Sequence, residues 1–412
     1  MDKKALKNTK NTNSEKKKIN GGSIITSAVF LALIFGFSIA GILSPDREFS
    51  DMENRSLQQV PEFSLERLKD GKFTSEIETY MSDQVFMKDE LVELKTAVDT
   101  AFRKTYQNGV YFGRNGYYIQ DYQENRALVQ NNVKMLNDFA DSLDDDVQVS
   151  FLLAPNAVSV LSDKLPSVTQ TDDQLETVDL IKNSLSDRIT FCCPYDELKQ
   201  ADEDGKQVFY KTDHHWTEDG AETGFNALMT AMGESIPDTP YSDENVSGFY
   251  GTLYSKAPQF SAESDTVKLV YGLNNDITVT YVDGESDVSL MNTVDDFELK
   301  DGDVVRKSLY VKAQTEKKDK YAAYLGGNFK LIQLETQGES DENVLVIKDS
   351  YANAVMPFLC QKYQHISMID LRYYHMEDLS VSDYVREHNI KKVIYLYNVD
   401  FINSDNNFVW LD

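Results

Sequence analysis

One apolar segment near the N-terminus limits what this chain can fold into. Residues 24–43 carry no charged side chain, and about 20 apolar residues are what a helix needs to cross a bilayer. Seven lysines precede the segment, and such positive charge marks the cytoplasmic side. A cleaved signal peptide is the alternative, but the run is long for one and lacks a small-residue cleavage site. We predict a cytoplasmic tail at 1–23, a single-pass anchor at 24–43 in the cell membrane, and an extracellular body.

Charge and cysteine content narrow the class of protein. A formal net charge of -27 at pH 7 argues against nucleic acid as a partner, because phosphate contacts need clustered Lys and Arg. Of three cysteines, Cys192 and Cys193 are adjacent, which fits neither a disulfide framework nor a zinc site built from Cys pairs. The hydrophobic content of 41% is that of a globular protein with a sizeable core.

The rest of the chain is predicted to form a stem and one α/β domain. Residues 44–106 start polar and continue with apolar residues at helical spacing. From 107 to 412, short apolar runs alternate with amphipathic helical stretches, which indicates a mostly parallel sheet. The segment 263–320 differs, because its alternating Asp, Thr and Val residues predict a β-rich insertion or flap. The main strands are predicted at 147–153, 189–191, 344–347, 366–371 and 393–397.

The segment Lys211–Thr217 (KTDHHWT) concentrates residues that can move protons. Two of the five His and one of the two Trp lie here beside an Asp. In an extended chain, Asp213 and His215 would face one way and His214 the other. That spacing suits a carboxylate that orients an imidazole and stabilises its protonated form. Thr217 is a predicted N-cap, so the segment leads into a helix.

A nucleophile would complete this arrangement, and Ser350 is the candidate. It follows the predicted strand 344–347 and precedes a predicted helix. Enzymes of the α/β class place nucleophiles at such a turn, where backbone N–H groups and the helix dipole can stabilise an oxyanion. The alternative is that Asp349 or Ser350 only caps the helix.

The same Asp-His-His run could instead bind a metal ion. Adjacent residues cannot easily face one ion together, and the remaining histidines are scattered along the chain. We therefore expect neither a metal nor a cofactor.

Further residues are candidates for contacts to an oxyanion or a substrate. These are Tyr351, Gly327, Asn328, Arg372 and Trp216. Gly327, Asn328 and also Asn156 could donate N–H groups, although each pattern fits an ordinary turn. Arg372 could bind a substrate carboxylate, orient a loop or form a surface ion pair. Trp216 is interpreted as a wall of the site.

The chain resembles the bacterial DHHW proteins along most of its length beyond the anchor, the insertion excepted. The resemblance lies first in the Asp213–Trp216 signature itself. The supporting segments are Phe49–Arg55, Pro61–Phe63, Asp70–Phe73, Phe249–Leu253 and Asp349–Tyr351. The combination is specific, whereas each piece alone is not.

That family is similar to the SGNH-hydrolase-like proteins that O-acetylate alginate and other exported polysaccharides. The resemblance implies an SGNH-hydrolase-like sandwich with Ser350 as nucleophile, His215 as general base and Asp213 as orienting carboxylate. It also implies a membrane-bound O-acyltransferase as acyl donor and a cell-surface polysaccharide as acceptor. In one departure, Lys348 stands where those proteins usually have a glycine before Asp-Ser.

Three functions remain open from sequence. The first is O-acetylation of a cell-envelope polysaccharide, and the second is a carbohydrate esterase that uses the same residues. The third is a non-catalytic protein that binds glycan or scaffolds a synthesis complex. A hydrogen-bond distance from His215 to both Ser350 and Asp213 would favour the enzymes.

Overall fold

The structure is a computed structural model that describes residues 21–50, 55–102, 104–238, 240–259, 261–272, 276–375 and 379–411. The predicted cytoplasmic tail lies largely outside these residues. The chain separates into two compact units. Among the described residues, the first comprises 21–50 and 55–91, and the second comprises 92–411.

The first unit begins with a long apolar helix. Helix α1 spans Gly21–Leu43, and its segment Ile24–Leu43 has a mean hydropathy of 2.2 with none of it buried inside the protein. By length and composition, this helix can cross a membrane. The elements that follow are β1 Phe49–Ser50, β2 Arg55–Ser56, α2 Leu65–Lys69, α3 Lys72–Asp83 and α4 Lys88–Ala101, which continues into the second unit. Helices α2, α3 and α4 lie in the part of the chain where the sequence has apolar residues at helical spacing.

The second unit alternates strands and helices. Its strands are β3 Tyr106–Gln107, β4 Val110–Phe112, β5 Tyr118–Gln120, β6 Gln148–Ala154, β7 Ile189–Cys192, β8 Ser242–Phe249, β9 Asp265–Tyr271, β10 Thr278–Tyr281, β11 Phe297–Lys300, β12 Asp303–Arg306, β13 Leu331–Glu335, β14 Ser340–Lys348, β15 Tyr363–Ile369 and β16 Lys392–Asn398. Its helices are α5 Arg126–Ser142, α6 Ala157–Val160, α7 Gln174–Ser184, α8 Tyr195–Glu203, α9 Glu218–Met232, α10 Thr252–Lys256, α11 Val288–Thr293, α12 Lys312–Thr315, α13 Met356–Lys362, α14 Val381–Glu387 and α15 Val399–Ser404.

The main sheet is mixed, which corrects the prediction of a mostly parallel one. Within the described residues it has nine strands in the order β11-β12-β10-β13-β15-β14-β16-β6-β7. The five strands from β15 to β7 run parallel to one another. The other four are added in antiparallel fashion. The α/β class is thus confirmed for half of the sheet, and that half carries the site.

Burial explains why the two halves of the sheet have different hydrophobic patterns in the sequence. Residues of β16 are buried throughout, as are the last five of β14 and the last six of β6. Such continuous apolar runs are typical of parallel strands that are covered on both faces. Strands β10 and β12 instead alternate buried and half-buried positions, as strands with one solvated face do.

The predicted β-rich insertion is not a separate flap. Strands β10, β11 and β12 lie within 263–320 and extend the main sheet. Strand β9 pairs instead with β8, which precedes the segment, in a two-stranded ribbon. The period-two pattern predicts strands correctly, but it holds no information about which strand each one pairs with.

Candidate active site

The candidate site lies at the carboxyl ends of the parallel strands. Strand β14 ends at Lys348, and Ser350 opens the short 3-10 helix Ser350–Ala354 that leads into α13. Asp349 caps this turn, since its Oδ1 accepts the Tyr351 N–H at 2.8 Å. Its Oδ2 accepts the backbone and side-chain N–H groups of Asn398, at the end of β16, at 2.7 Å each. These hydrogen bonds hold the Ser350 turn against the end of β16.

Asp213 and His215 lie in a bent loop between α8 and α9. The Tyr210 N–H donates to the His215 carbonyl at 3.2 Å, so the residues between them form a tight turn. Asp213 Oδ1 accepts the His215 backbone N–H at 3.0 Å, as in an Asx turn. The segment is therefore not extended, and this turn, instead of strand alternation, brings the carboxylate to the imidazole. Thr217 caps α9, as predicted.

Three side chains from two distant segments meet in a linear arrangement. His215 Nδ1 lies 2.6 Å from Asp213 Oδ1. His215 Nε2 lies 2.7 Å from Ser350 Oγ, although 135 positions separate the two residues in sequence. Both distances are within hydrogen-bond reach. Asp213 and His215 are buried, with relative exposures of 2% and 6%, so water does not compete freely for these bonds.

The second oxygen of Asp213 is held by a segment that sequence analysis gave no role. Asp213 Oδ2 accepts the backbone N–H of Thr252 at 2.7 Å and its hydroxyl at 3.0 Å. Gly251 makes this approach possible, because a Cβ there would lie 2.2 Å from the Asp213 Cβ. Gly251 and Thr252 both belong to the Phe249–Leu253 segment, which carries part of the family resemblance. That resemblance is the signal in the sequence that could have identified them.

Tyr321 contacts both halves of the site. Its ring stacks on the His215 ring with a centroid distance of 3.9 Å and an angle of 10°. Its hydroxyl donates to the Ser350 carbonyl at 2.8 Å. The stack and the hydrogen bond fix the imidazole plane relative to the Ser350 turn. Tyr321 directly follows the weakly patterned segment, and no motif in the sequence identifies it.

The surroundings keep His215 neutral near pH 7. Burial, together with His214 and Arg372 nearby, lowers the pKa of His215 to about 4. Burial opposes ionisation of Asp213, but the two imidazoles hold the pKa of its carboxyl well below the ordinary value. Burial also opposes protonation of His214, yet the Asp213 carboxylate raises the His214 pKa. His215 can therefore present an unprotonated Nε2 to Ser350 while Asp213 stays ionised.

Ser350 opens onto a cleft of about 330 Å³. Arg372 lines this cleft and is not a surface ion pair, because its partner Asp370 is fully buried. Its Nε and Nη2 donate to the two Asp370 oxygens at 2.8 and 2.6 Å. Nη1 of Arg372 has no acceptor among the described residues. Asn156 also lines the cleft, but its Nδ2 donates to the Tyr351 hydroxyl at 2.9 Å and to Asn398 Oδ1 at 3.1 Å.

His214 also lines this cleft, which differs from the sequence expectation that it faces away. Its ring lies 3.9 Å from the His215 ring, centroid to centroid, and its side chain is 30% exposed. The bend of the loop places both imidazoles side by side.

Tyr351 and Trp216 lie behind the cleft and support the site. The Trp216 indole N–H donates to the Tyr351 carbonyl at 3.0 Å, and both residues are fully buried. Gly224 leaves room for the indole, since a Cβ there would lie 2.9 Å from Trp216 Cζ3. The Tyr351 hydroxyl donates to the His214 carbonyl. These bonds join the Ser350 turn to the Asp-His loop.

Gly327 and Asn328 do not line the cleft; the Gly327 N–H donates to the Tyr324 carbonyl at 3.1 Å. Lys348 is fully buried and donates to Asn328 Oδ1 at 2.5 Å and to Asn353 Oδ1 at 3.1 Å. Its Nζ lies 3.3 Å from Asp370. Burial lowers the pKa of Lys348 to about 8, although Asp370 favours the charge. The loop 326–328 thus provides, through Asn328, a hydrogen-bond acceptor for the buried Lys348.

Asp213, His214 and His215 offer donor atoms that lie within 4.8 Å of one another. The bent loop therefore removes the geometric objection to a shared ion. However, both Asp213 oxygens and His215 Nδ1 already form hydrogen bonds, and His215 Nε2 faces Ser350 Oγ. A metal would have to break these bonds, so the donor set fits a proton relay better than an ion.

Fold and site together define an α/β protein with a Ser–His–Asp arrangement at the carboxyl edge of the parallel strands. The family model described as DHHW protein matches residues 92–369. The chain belongs to the DHHW family. The match covers the Asp-His-His-Trp loop, Thr252, Tyr321 and Ser350.

The chain is similar to solved structures and to a protein known by its sequence. A DHHW family protein from Eubacterium siraeum is 20% identical with a TM-score of 0.58, over 73% of this chain and 94% of that one. Bacillus cereus PatB1 is 22% identical with a TM-score of 0.56, over 72% and 97%. These likenesses show the fold. The probable alginate O-acetylase AlgJ of Pseudomonas fluorescens is 25% identical over 174 residues, which is 40% of this chain and 44% of that protein.

Proposed function

We propose that this protein is a membrane-anchored O-acyltransferase that acetylates hydroxyl groups of a cell-envelope polysaccharide. The observation that carries the proposal is the pair of contacts of His215, at 2.6 Å to Asp213 and 2.7 Å to Ser350. A neutral imidazole in this position can remove the proton of a serine hydroxyl, which makes the serine a nucleophile.

In the first half-reaction, Ser350 Oγ attacks the carbonyl carbon of an acyl ester. His215 Nε2 takes the Ser350 proton, and Asp213 stabilises the imidazolium that forms. Collapse of the tetrahedral intermediate breaks the bond to the donor oxygen, and His215 returns the proton to that leaving group. The acyl group is then an ester of Ser350.

In the second half-reaction, a hydroxyl of the acceptor attacks the acyl-serine. His215 takes the proton of this hydroxyl and delivers it to Ser350 Oγ as the acyl–serine bond breaks. Water in the acceptor position gives hydrolysis, so an esterase would use the same residues. The acceptor that reaches the acyl-serine decides between the two outcomes.

The negative charge of each tetrahedral intermediate needs donors close to Ser350. We assign this role to the Ser350 backbone N–H, which has no acceptor among the described residues, and to Nη1 of Arg372. The fixed pair with buried Asp370 holds the guanidinium in place, and a preorganised donor of this kind can lower the barrier by several kcal/mol. The N–H of Tyr351 is already bonded to Asp349.

The proposal that the acyl group is acetyl and that the acceptor is a polysaccharide is based on relatives and on motif order. AlgJ is named as a probable alginate O-acetylase. In this chain Asp213 and His215 also precede Ser350, in the order of the SGNH-hydrolase-like acetyltransferases that the sequence resembles. The motif order supports an SGNH-like assignment of the parallel half of the sheet. We propose a membrane-bound O-acyltransferase as the partner that supplies the acyl group.

Helix α1 supports an anchored location for this chemistry. None of its apolar segment is buried inside the protein, and the lysines before it favour a cytoplasmic N-terminus. We propose that the second unit acts at the outer surface, where polysaccharides are modified after export.

The test is turnover of a chromogenic acetyl ester by the full-length protein in detergent. Wild-type protein should release the chromophore, and an aryl sulfonyl fluoride should stop the reaction by labelling Ser350. We expect Ser350→Ala and His215→Ala to lose at least about 10³-fold in rate. Ser247→Ala, on strand β8, is the matched control and should keep full activity. Equal turnover by wild type and Ser350→Ala would exclude this enzyme and leave the non-catalytic function.

A further inference from the structure

The second histidine of the signature lies in the cleft but has no role in the reaction described above. His214 is joined to the same carboxylate as His215, through Thr252. Its Nδ1 lies 2.7 Å from the Thr252 hydroxyl, and that hydroxyl donates to Asp213 Oδ2 at 3.0 Å. His214 Nδ1 also lies 3.5 Å from Asp213 Oδ1, so Asp213 is linked to both imidazoles.

This network fixes which nitrogen of His214 carries a proton. The Thr252 hydroxyl has one hydrogen, which it donates to the ionised Asp213 carboxylate, so it can only accept from His214. Nδ1 of His214 is thus the donor in that bond. The other ring nitrogen, Nε2, has no partner among the described residues. Because the ring lines the cleft beside Ser350, Nε2 is the polar atom that His214 can offer to a bound molecule.

A hydroxyl group matches Nε2 in either protonation state. A neutral ring accepts from the hydroxyl O–H, and a protonated ring donates to the hydroxyl oxygen. The ring centroids of His214 and His215 are only 3.9 Å apart. Two hydroxyls on adjacent carbons of a pyranose ring have a comparable separation, so each could meet one imidazole.

We propose that His214 is a specificity-determining residue that binds an acceptor hydroxyl adjacent to the one that is acylated. The acceptor is then a vicinal diol, as in a sugar ring with two neighbouring free hydroxyls. The attacking hydroxyl gives its proton to His215, its oxygen bonds to the acyl carbon, and the acyl–serine bond breaks with return of the proton to Ser350. The adjacent hydroxyl stays intact on His214. This inference rests on the proposed acyl transfer and adds the class of acceptor.

The test compares two acceptors that differ by one hydroxyl. Full-length protein receives 4-nitrophenyl acetate as donor, with either trans-cyclohexane-1,2-diol or cyclohexanol as acceptor. Mass spectrometry measures the monoacetate formed, and absorbance measures total donor consumption. We expect wild-type protein to transfer to the diol about tenfold faster than to cyclohexanol, beyond the statistical factor for two hydroxyls, as for one added hydrogen bond.

Two substitutions at His214 distinguish the roles of its two ring nitrogens. His214→Asn keeps a donor near the Nδ1 position for Thr252 but removes Nε2, and it should abolish the tenfold preference. His214→Gln places an amide near the Nε2 position and should retain part of it. His365→Asn is the matched control, because His365 is 41% exposed and pairs with Glu335. It should keep the wild-type ratio.

The ratio of the transfer rates to the diol and to cyclohexanol shows whether His214 recognises the acceptor or only supports the fold. A structural role for His214 predicts equal losses for both acceptors and for hydrolysis, so an unchanged ratio in His214→Asn overturns the proposal. A wild-type enzyme that does not favour the diol overturns it as well, whatever the variants do. In both cases Ser350-dependent donor consumption would continue. If that consumption is also absent, the proposed function fails, and this inference fails with it.

Discussion

At the scale of single residues, the proposed reaction of Ser350 depends on the protonation of His215. The ring is buried, stacked on Tyr321 and bonded through Nδ1 to an ionised Asp213. Neighbouring His214 and Arg372 oppose a further positive charge. In the proposed reaction, the ring therefore takes up a proton only while one is transferred from Ser350 or from the acceptor, when Asp213 stabilises the resulting cation.

Removal of the Asp213 charge should disable the base without removing the nucleophile. Asp213→Asn keeps the shape but presents an amide in place of a carboxylate, so His215 loses its fixed tautomer. We expect a fall in kcat of about 10³–10⁴-fold in the ester assay. Asp243→Asn on strand β8 is the control and should change little. A loss below tenfold for Asp213→Asn would contradict the role of Asp213.

The rate should depend on pH through His215. In the proposed reaction the neutral ring is the active form, so we expect activity to fall as pH drops through the His215 pKa, which is about 4. We expect kcat/KM to be level from neutral pH down to about pH 5 and to decline below it. Circular dichroism at each pH must show that the fold persists. An acid limb near about 6.5, the value of an unperturbed histidine, would show that the site does not lower the His215 pKa.

At the scale of elements, the site depends on the approach of three loops to one strand end. The loop before α9 brings Asp213 and His215, the turn after β14 brings Ser350, and the turn before α10 closes on Asp213 through Thr252. Gly251 lets this last turn come within contact of the carboxylate. The three loops are therefore fixed by backbone proximity as much as by side chains.

Substitution of Gly251 should separate these loops. In Gly251→Ala, the new Cβ would overlap Asp213, at 2.2 Å from its Cβ and 2.4 Å from Oδ2. We expect a destabilisation of about 1–3 kcal/mol from overpacking and a loss of ester turnover. Thermal unfolding and the ester assay measure the two effects. Gly36→Ala is the matched control, because a Cβ at Gly36 meets nothing within 4 Å. Normal activity in Gly251→Ala would show that the turn before α10 does not position Asp213.

The sequence predicts these elements to different extents, for physical reasons. Most residues of β6, β14, β15 and β16 are buried, so these strands appear in the sequence as apolar runs. The start of α9 is predictable because Thr217 is an N-cap. Residue types and the family resemblance indicated Asp213, His215 and Ser350. Thr252 and Tyr321 join the site only through tertiary contacts, which local periodicity does not encode. The sequence also does not reveal the bend at 211–214, because an Asx turn and a short strand have similar patterns over so few residues.

At the scale of the whole molecule, the main sheet joins a half of parallel strands to a half of antiparallel strands. The parallel half holds Ser350, Asp370, Asn156 and Asn398 at one edge, as in other α/β sheets that bind ligands there. The antiparallel half contains β10, β11 and β12 from the predicted insertion. Strands β11 and β12 pair as a local hairpin, but β10 pairs with β13, where Tyr281 lies opposite Ile332, and β13 in turn pairs with β15. Because these two pairings join segments far apart in sequence, the mixed sheet could not be predicted from the sequence.

The apolar helix should decide where the protein resides in the cell. We expect the full-length chain to stay in the membrane fraction after alkaline extraction, and a variant without residues 21–43 to be released. An external protease should digest the second unit in intact cells and leave the N-terminal tail protected. Release of the full-length chain by alkaline extraction would contradict the anchor, and protection of the second unit would contradict the orientation.

The acyl-enzyme is the most direct test of the central claim that Ser350 carries the transferred group. Full-length protein is exposed to an acetyl ester, quenched in acid, digested and analysed by peptide mass spectrometry. We expect one acetyl group on Ser350 in the wild-type protein, and much less in His215→Ala. Absence of acetyl from Ser350 during turnover, or equal acetylation of Ser350 in His215→Ala, would contradict it.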